Sequence, residues 1–241
     1  MPEILEETLE AEEVSVEEYD LTLFEAEDYR RTRMFLDLFR RLMSYYRCAM
    51  FEIETKFNVL NEAFSQSLDR NPINNIKCRL KSPESIQGKL EKLGCPLTLE
   101  SIEANLDDIA GVRVTCPFID DVYLVAEALL KQDDVTLIYA KDYIKNPKPN
   151  GYRSLHLIVI VPIFLPKEKQ YVKVEIQLRT IAMDFWAALE HQLKYKKTYA
   201  FTEDMQKELY ECAEISASLD ERMNVLRNNV LSADPLEDIG I

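Results

Sequence analysis

Residues 171–180, YVKVEIQLRT, settle the fold class, because their alternation is unbroken. Val172, Val174, Ile176 and Leu178 fall on one side of a strand, and Lys173, Glu175, Gln177 and Arg179 on the other. A strand with one wholly polar face is either solvent-exposed or the wall of a polar cleft. The preceding run favours the cleft. Residues 155–161, LHLIVIV, are apolar on both faces and belong inside a sheet. Paired with them, Glu175 sits on a central strand.

On either side the pattern alternates helix and strand. Residues 29–67 contain neither Gly nor Pro, and Phe35, Leu38, Leu42, Tyr45, Ala49, Ile53, Phe57, Leu60 and Phe64 recur at helical spacing. Asn71-Pro72 follows that long amphipathic helix. A strand is expected at 73–80. Ser82-Pro83-Glu84-Ser85 then reads as a helix start, with a serine N-cap and proline in first position, and the helix runs to Gly94. Further strands are expected at 109–118, 134–140, 154–162 and 171–179, with helices at 119–131 and 181–195. In the last of these Trp186 and Leu189 should face inward. The expected fold is mixed α/β (α+β): a sheet of about five strands with packed helices.

The tail, 203–231, is helical, and Leu209, Cys212, Ser216, Leu219, Met223, Leu226 and Val230 mark a heptad seam. Such a seam packs on its own domain or on a partner helix. At the other end, residues 1–28 hold twelve acids and no Lys or Arg, an acidic leader that is the opposite of a signal or transit peptide. The formal charge of −14 is therefore concentrated there, and 141–197 is basic, with eleven Lys and Arg against five acids. A basic cleft suits a nucleotide, whereas overall acidity disfavours a general DNA binder.

Apolar residues make up 47% of the 241, enough for a sizeable core. No run reaches the roughly 18–20 apolar residues of a membrane span, so a cytoplasmic protein is expected. The five cysteines are scattered without a C-x-x-C pair, which argues against a disulfide framework or a zinc knuckle.

Three groups of residues suggest chemistry. Asp107-Asp108 precede a strand in which Gly111 permits close backbone approach. Either carboxylate could cap a turn. Together with Glu175 and phosphate oxygens, one of them could also hold Mg²⁺, which prefers octahedral oxygen and keeps waters. Arg79, Lys81 and Lys89 surround a helix start bearing Ser82 and Ser85, an anion site or a solvated basic patch. Lys148, Tyr152, Arg153 and His156 stand where a Pro-Asn-Gly turn enters a strand.

In order along the chain, RLKSPESIQGKL, DDIAGVRV, KDYIKNPKPNGYRSLHL and VEIQLRTIAMDFWAALEHQLKYK resemble the successive motifs of the RelA/SpoT synthetase domain. The size and long terminal helices resemble the stand-alone small alarmone synthetases, with a nucleotidyltransferase-like core. The resemblance implies transfer of pyrophosphate from ATP to the 3′-OH of GDP or GTP, giving ppGpp or pppGpp and AMP. Beyond the acidic leader at 1–28, it implies a synthetase domain over 29–200 and a helical extension at 201–241 used in oligomerisation. Neither of the two histidines is followed by Asp, so no HD-type hydrolase site is expected.

By resemblance, Arg79 and Arg113 sandwich the adenine, while Lys81, Ser85 and Lys89 hold the ATP phosphates. Asp108 and Glu175 bind Mg²⁺, and Glu175 completes that site or takes the 3′-OH proton. Tyr152 stacks on guanine, Lys141 and Lys148 meet the acceptor's 5′-phosphates, and His156 and Gln177 lie in the same pocket. Arg153 is a phosphate ligand or a structural ion-pair partner. Asp184 stands where relatives often carry Asn, and an ionised carboxylate suits the N1–H and N2–H₂ donors of guanine. Expected partners are ATP, GDP or GTP, further copies in a homotetramer, and single-stranded RNA as a regulator, with no DNA and no membrane. The rival readings are a same-fold toxin acting on adenine nucleotides or the 3′ end of tRNA, and a non-catalytic nucleotide- or RNA-binding regulator.

Overall fold

In a computed structural model of the chain, residues 26–67, 70–195 and 201–232 are described. Most of the acidic leader expected at 1–28 lies outside them. The first helix, α1 (Ala26–Ser67), begins in a small unit ending at Phe39, where the rings of Phe35 and Phe39 stack with centroids 6.2 Å apart. The described residues from Arg40 onward form a second, much larger unit.

That unit is a five-stranded sheet with helices packed on it. In chain order it contains β1 (Asn75–Leu80), α2 (Pro83–Leu93), α3 (Leu99–Asn105), β2 (Ala110–Cys116), α4 (Ile119–Leu130), β3 (Thr136–Asp142), β4 (Leu155–Phe164), β5 (Lys169–Thr180), α5 (Ile181–Tyr195) and α6 (Glu203–Ser232). The spatial order is β1-β2-β5-β4-β3. Only β2 and β5 run parallel, and β5 is the central strand. Among the described residues no helix is long and apolar enough to cross a membrane.

Local chemistry sets the element ends. The Ser82 hydroxyl accepts the Ser85 N–H at 3.3 Å, Pro83 opens α2, and Gly94 closes it with φ +68°. Thr98 caps α3 in the same way, at 3.1 Å from Ser101 N. Thr180 ends β5 and starts α5: its hydroxyl accepts the Met183 N–H at 3.1 Å and donates to the buried Asp220 of α6. Register puts Val112, Ile176 and Leu157 in one row and Val114, Leu178 and Leu155 in the next, all buried. From α1, Ile53 and Phe57 join the buried core.

Three expectations need correction. Helix α3 was not anticipated, since its seven residues give too few turns for a periodic signal. Leu189 is 42% exposed; α5 packs through Met183, Trp186 and Ala187 instead. The heptad seam of α6 packs on its own domain only at Leu209, against the Trp186 cluster, and at Ser216; farther along it turns outward. Leu219, Met223, Leu226 and Val230 are exposed, because a different face is turned inward, with Ala213, Asp220 and Asn224 buried. That face is held by polar contacts: Ser216 donates to Ala182 O at 3.2 Å, and Arg227 reaches Asp120 and Asp121 at 3.4 and 3.5 Å. Asp121 is fully buried and paired also with Arg70 at 2.7 Å, as a buried carboxylate requires.

Candidate active site

The polar face of β5 lines a cleft. Because side chains alternate along each strand, residues in cross-strand register share a face. Register therefore assembles two rows across the sheet. One runs Arg79, Gly111, Glu175, Ile158, Tyr139 or its bulge neighbour; the other runs Lys77, Arg113, Gln177, His156, Lys141. Over β1, β2 and β5 the rows form an open cleft of about 470 Å³, lined among others by Arg79, Lys81, Asp108, Arg113, Glu175 and Gln177. Gly111 sits between Arg79 and Glu175, and its lack of a side chain leaves the floor open.

On the β1 side the charges are cationic around one carboxylate. Lys81 is fixed by a backbone bond from its N–H to Ile109 O, 2.8 Å, and its Nζ lies 2.9 Å from Asp108 Oδ2. Lys89, one turn along α2 from Ser85, lies 2.8 Å from Asp108 Oδ1. Burial pushes the Asp108 carboxyl up, but Lys89 and Lys81 outweigh it and hold the group below the usual carboxylate range. Asp107 turns the other way, accepting from Lys173 at 2.6 Å and from the Tyr139 hydroxyl at 2.9 Å.

Glu175 anchors the opposite wall. Gln177 Nε2 donates to its Oε2 at 3.0 Å, and His156 Nδ1 stands 3.3 Å from its Oε1. Burial raises this carboxyl, but His156 and Gln177 more than offset that, so it too is held low. Asp108 and Glu175 thus share a cleft as two ionised carboxylates. Among the described residues no three His, Cys, Asp or Glu side chains gather as a metal site. A divalent cation here would take two protein oxygens and draw the rest from phosphate and water, a donor set that fits Mg²⁺.

Beyond His156 the site becomes aromatic. The Tyr152 hydroxyl lies 2.9 Å from His156 Nε2, and Tyr143 meets both rings edge-on. Lys148 Nζ stands over Tyr143 and Tyr152, 4.6 and 4.8 Å from their centroids, while Lys141 stands 5.0 Å over Tyr139. Tyr152 is held from behind by Trp186, Ala187 and Ala213. Gly151 has φ +85°, and a Cβ there would lie 2.5 Å from that of Ala213, so α6 rests directly on the turn.

Arg153 takes the ion-pair role: it lies 3.1 Å from Glu214 of α6. Asp184 Oδ1 is shared by Arg113 at 3.4 Å and Arg179 at 3.2 Å. Burial and the Arg179 charge lower the pKa of Arg113, with Asp184 partly restoring it. Two guanidiniums to one carboxylate leave surplus positive charge beside the cleft, suited to an anionic ligand.

Most candidate residues therefore gather along this one face of the sheet; Ser85 contacts only Ser82, and Arg153 turns to α6. Three participants were missed. Tyr139 lies in the strand expected at 134–140 and Tyr143 in the loop after it, and no local pattern marks either ring as facing the cleft. Arg179 was visible on the polar face of 171–180, but only register reveals that it is buried, 4% exposed, among three partners.

Comparison with known proteins gives the family. A family model described as the region found in RelA / SpoT proteins matches residues 78–200. GTP pyrophosphokinase YwaC of Bacillus subtilis (strain 168) is 45% identical over 185 residues, 77% of this chain and 88% of that protein. The crystal structure of small alarmone synthetase 1 from Bacillus subtilis bound to its product pppGpp superposes with a TM-score of 0.74 at 36% identity, covering 80% of this chain and 98% of that one. The same enzyme bound to AMPCPP gives a TM-score of 0.69 at 32% identity, with 82% and 100% coverage. By its four motifs, its sheet and these matches, the chain belongs to the RelA/SpoT family.

Proposed function

We propose that this protein is a Mg²⁺-dependent GTP/GDP pyrophosphokinase that makes ppGpp or pppGpp and AMP from ATP and GDP or GTP. The observation that carries the reading is the pair of rows across the sheet, which set a cationic wall, two ionised carboxylates and an aromatic pocket side by side. Similar proteins are named for this reaction, and one is solved with its product pppGpp.

In the reaction the acceptor's 3′-oxygen bonds to the β-phosphorus of ATP, the bond from that phosphorus to the α–β bridging oxygen breaks, AMP leaves, and the 3′-hydroxyl proton passes to Glu175 or to water. Arg79 and Arg113 stack the adenine. Lys81, Ser85 and Lys89 bind the phosphates. In the free protein Asp108 holds both lysines, so phosphate oxygens compete for the two ammoniums and free the carboxylate to bind a cation. Mg²⁺ on Asp108 and Glu175 would neutralise the charge on the transferred group. Glu175, held below the usual range, is a weak base, so positioning and charge neutralisation supply most of the rate.

On the acceptor side the guanine takes the place of Lys148 on the Tyr152 ring, and Lys148 with Lys141 turns to the 5′-phosphates. Asp184 approaches guanine from beside Arg113 and Arg179. The exposed apolar residues of α6 support a homo-oligomer, a tetramer on this reading. Residence in the cytoplasm is part of the same reading.

The test is one reaction of purified protein, Mg²⁺, ATP and GDP or GTP, resolved by anion exchange. Equimolar AMP and a guanine nucleotide with two added phosphates are expected. Absence of AMP with every guanine acceptor would sink the reading.

A further inference from the structure

Arg179, one residue from the end of β5, is almost wholly buried, a rare place for arginine unless acceptors surround it. Its Nη1 donates to Asp184 Oδ1 at 3.2 Å. Its Nη2 donates twice, to the Tyr152 hydroxyl oxygen at 2.6 Å and to Gln177 Oε1 at 2.8 Å. Those two donations start chains that meet again. Gln177 Nε2 donates to Glu175 Oε2 at 3.0 Å. By the other route, the Tyr152 hydroxyl lies 2.9 Å from His156 Nε2, and His156 Nδ1 lies 3.3 Å from Glu175 Oε1. Five side chains close a ring with Arg179 at its head and Glu175 at its foot.

The chemistry of the two ends gives the ring a direction. A guanidinium can only donate, and an ionised carboxylate can only accept. Gln177 must therefore offer its oxygen to Arg179 and its N–H₂ to Glu175; the flipped amide would set donor against donor. Tyr152 accepts from Arg179, so its single proton turns to His156 Nε2. That leaves the imidazole proton on Nδ1, facing Glu175.

We propose that Arg179 is a positioning residue for the acceptor side of the site: without touching substrate, it fixes the Tyr152 ring and turns the Tyr152 hydroxyl proton to His156 Nε2, and with Glu175 it holds the Gln177 amide and the His156 tautomer from both ends. The assignment of that side to the acceptor rests on the pyrophosphokinase reading above. The donor side is not tied to the ring in the same way. Lys81 and Lys89 bind Asp108, and only Arg113, through Asp184, has any link to Arg179.

Two measurements test this. The first is the two-bond ¹⁵N–¹H imidazole spectrum of the protein without nucleotide or metal, at about pH 8.5, above the ordinary imidazole range. With only two histidines in the chain, an H191N variant leaves His156 as the single signal. The wild-type background should show the Nδ1–H tautomer, and R179M the same tautomer, held by Glu175, with its Nε2 resonance displaced as the Tyr152 hydroxyl is released. An Nε2–H tautomer in wild type, or an R179M spectrum unchanged from it, overturns the proposal.

The second is steady-state kinetics. R179M should raise the acceptor KM about tenfold or more and leave the ATP KM within about twofold, the size of a lost charged hydrogen bond. R179K, whose single ammonium cannot span both branches, should recover part of the loss. A variant with reduced Tm but both KM values unchanged would mean a structural role only, and overturns the proposal. The spectra need no substrate. The expected tautomers in an inactive protein would refute the pyrophosphokinase reading and spare the ring; wild-type activity with the wrong tautomer would do the reverse.

Discussion

At Glu175 the balance of burial against His156 and Gln177 leaves the carboxyl ionised and below its usual range. A group whose folded pKa is depressed stabilises the fold fully above the unfolded value, about 4.3, and that stability is lost as pH falls through the folded value. Glu175→Gln should therefore cost stability in urea melts at neutral pH, with a difference from wild type that narrows in acid. Its turnover should fall about 10²- to 10³-fold, the usual scale for removing one charge-stabilising group, with the circular dichroism spectrum unchanged. A variant as active as wild type would remove Glu175 from the site. At this scale the sequence was legible wherever alternation applied: Glu175 and Gln177 could be placed on one face from YVKVEIQLRT alone. The partnership of Glu175 with His156, or of Arg113 with Asp184, could not, since both depend on register and helix docking.

Among the elements, α6 has the most direct hold on the aromatic pocket around Tyr152. Gly151→Ala would drive a methyl into Ala213 at a backbone angle that already disfavours side chains. A destabilisation of about 1–3 kcal/mol is expected from overpacking, with a raised acceptor KM, read by thermal melts and initial rates. An unchanged Tm would mean that α6 does not press on this turn. The second hold is Thr180, which caps α5 and donates to Asp220. Burial raises the Asp220 carboxyl, Thr180 opposes that, and Glu221 adds to it. A raised folded pKa means stability present below the unfolded value and lost as pH rises through the folded one. Asp220→Asn should thus gain Tm relative to wild type on going from about pH 4 to 7; a gain in the opposite direction would contradict the burial argument. The helix itself was plain from its heptads, but they left open which face packs on the domain. Its inward residues are small or polar and held by ion pairs, which a search for apolar periodicity overlooks.

For the molecule as a whole, the outward seam of α6 makes self-association testable. Leu219→Glu with Leu226→Glu should lower the mass seen by light scattering, because charges replace apolar contact; an unchanged mass would place any interface elsewhere. Five strands and their order of neighbours follow from different kinds of signal. The strands were legible one by one, whereas the order β1-β2-β5-β4-β3 is a product of packing. That order has a kinetic consequence. The β4–β5 hairpin joins residues close in sequence, but the parallel β2–β5 seam must bring Gly111 to Glu175 across an intervening helix and two strands. Closing so long a loop is slow relative to hairpin formation. The cleft straddles that late seam, so a half-folded chain can show native-like hairpin protection and still have no place for a nucleotide. In refolding from urea, amide protection along β4 and β5 should appear before nucleotide binding returns; simultaneous recovery would mean that the seam and the hairpin form in one step.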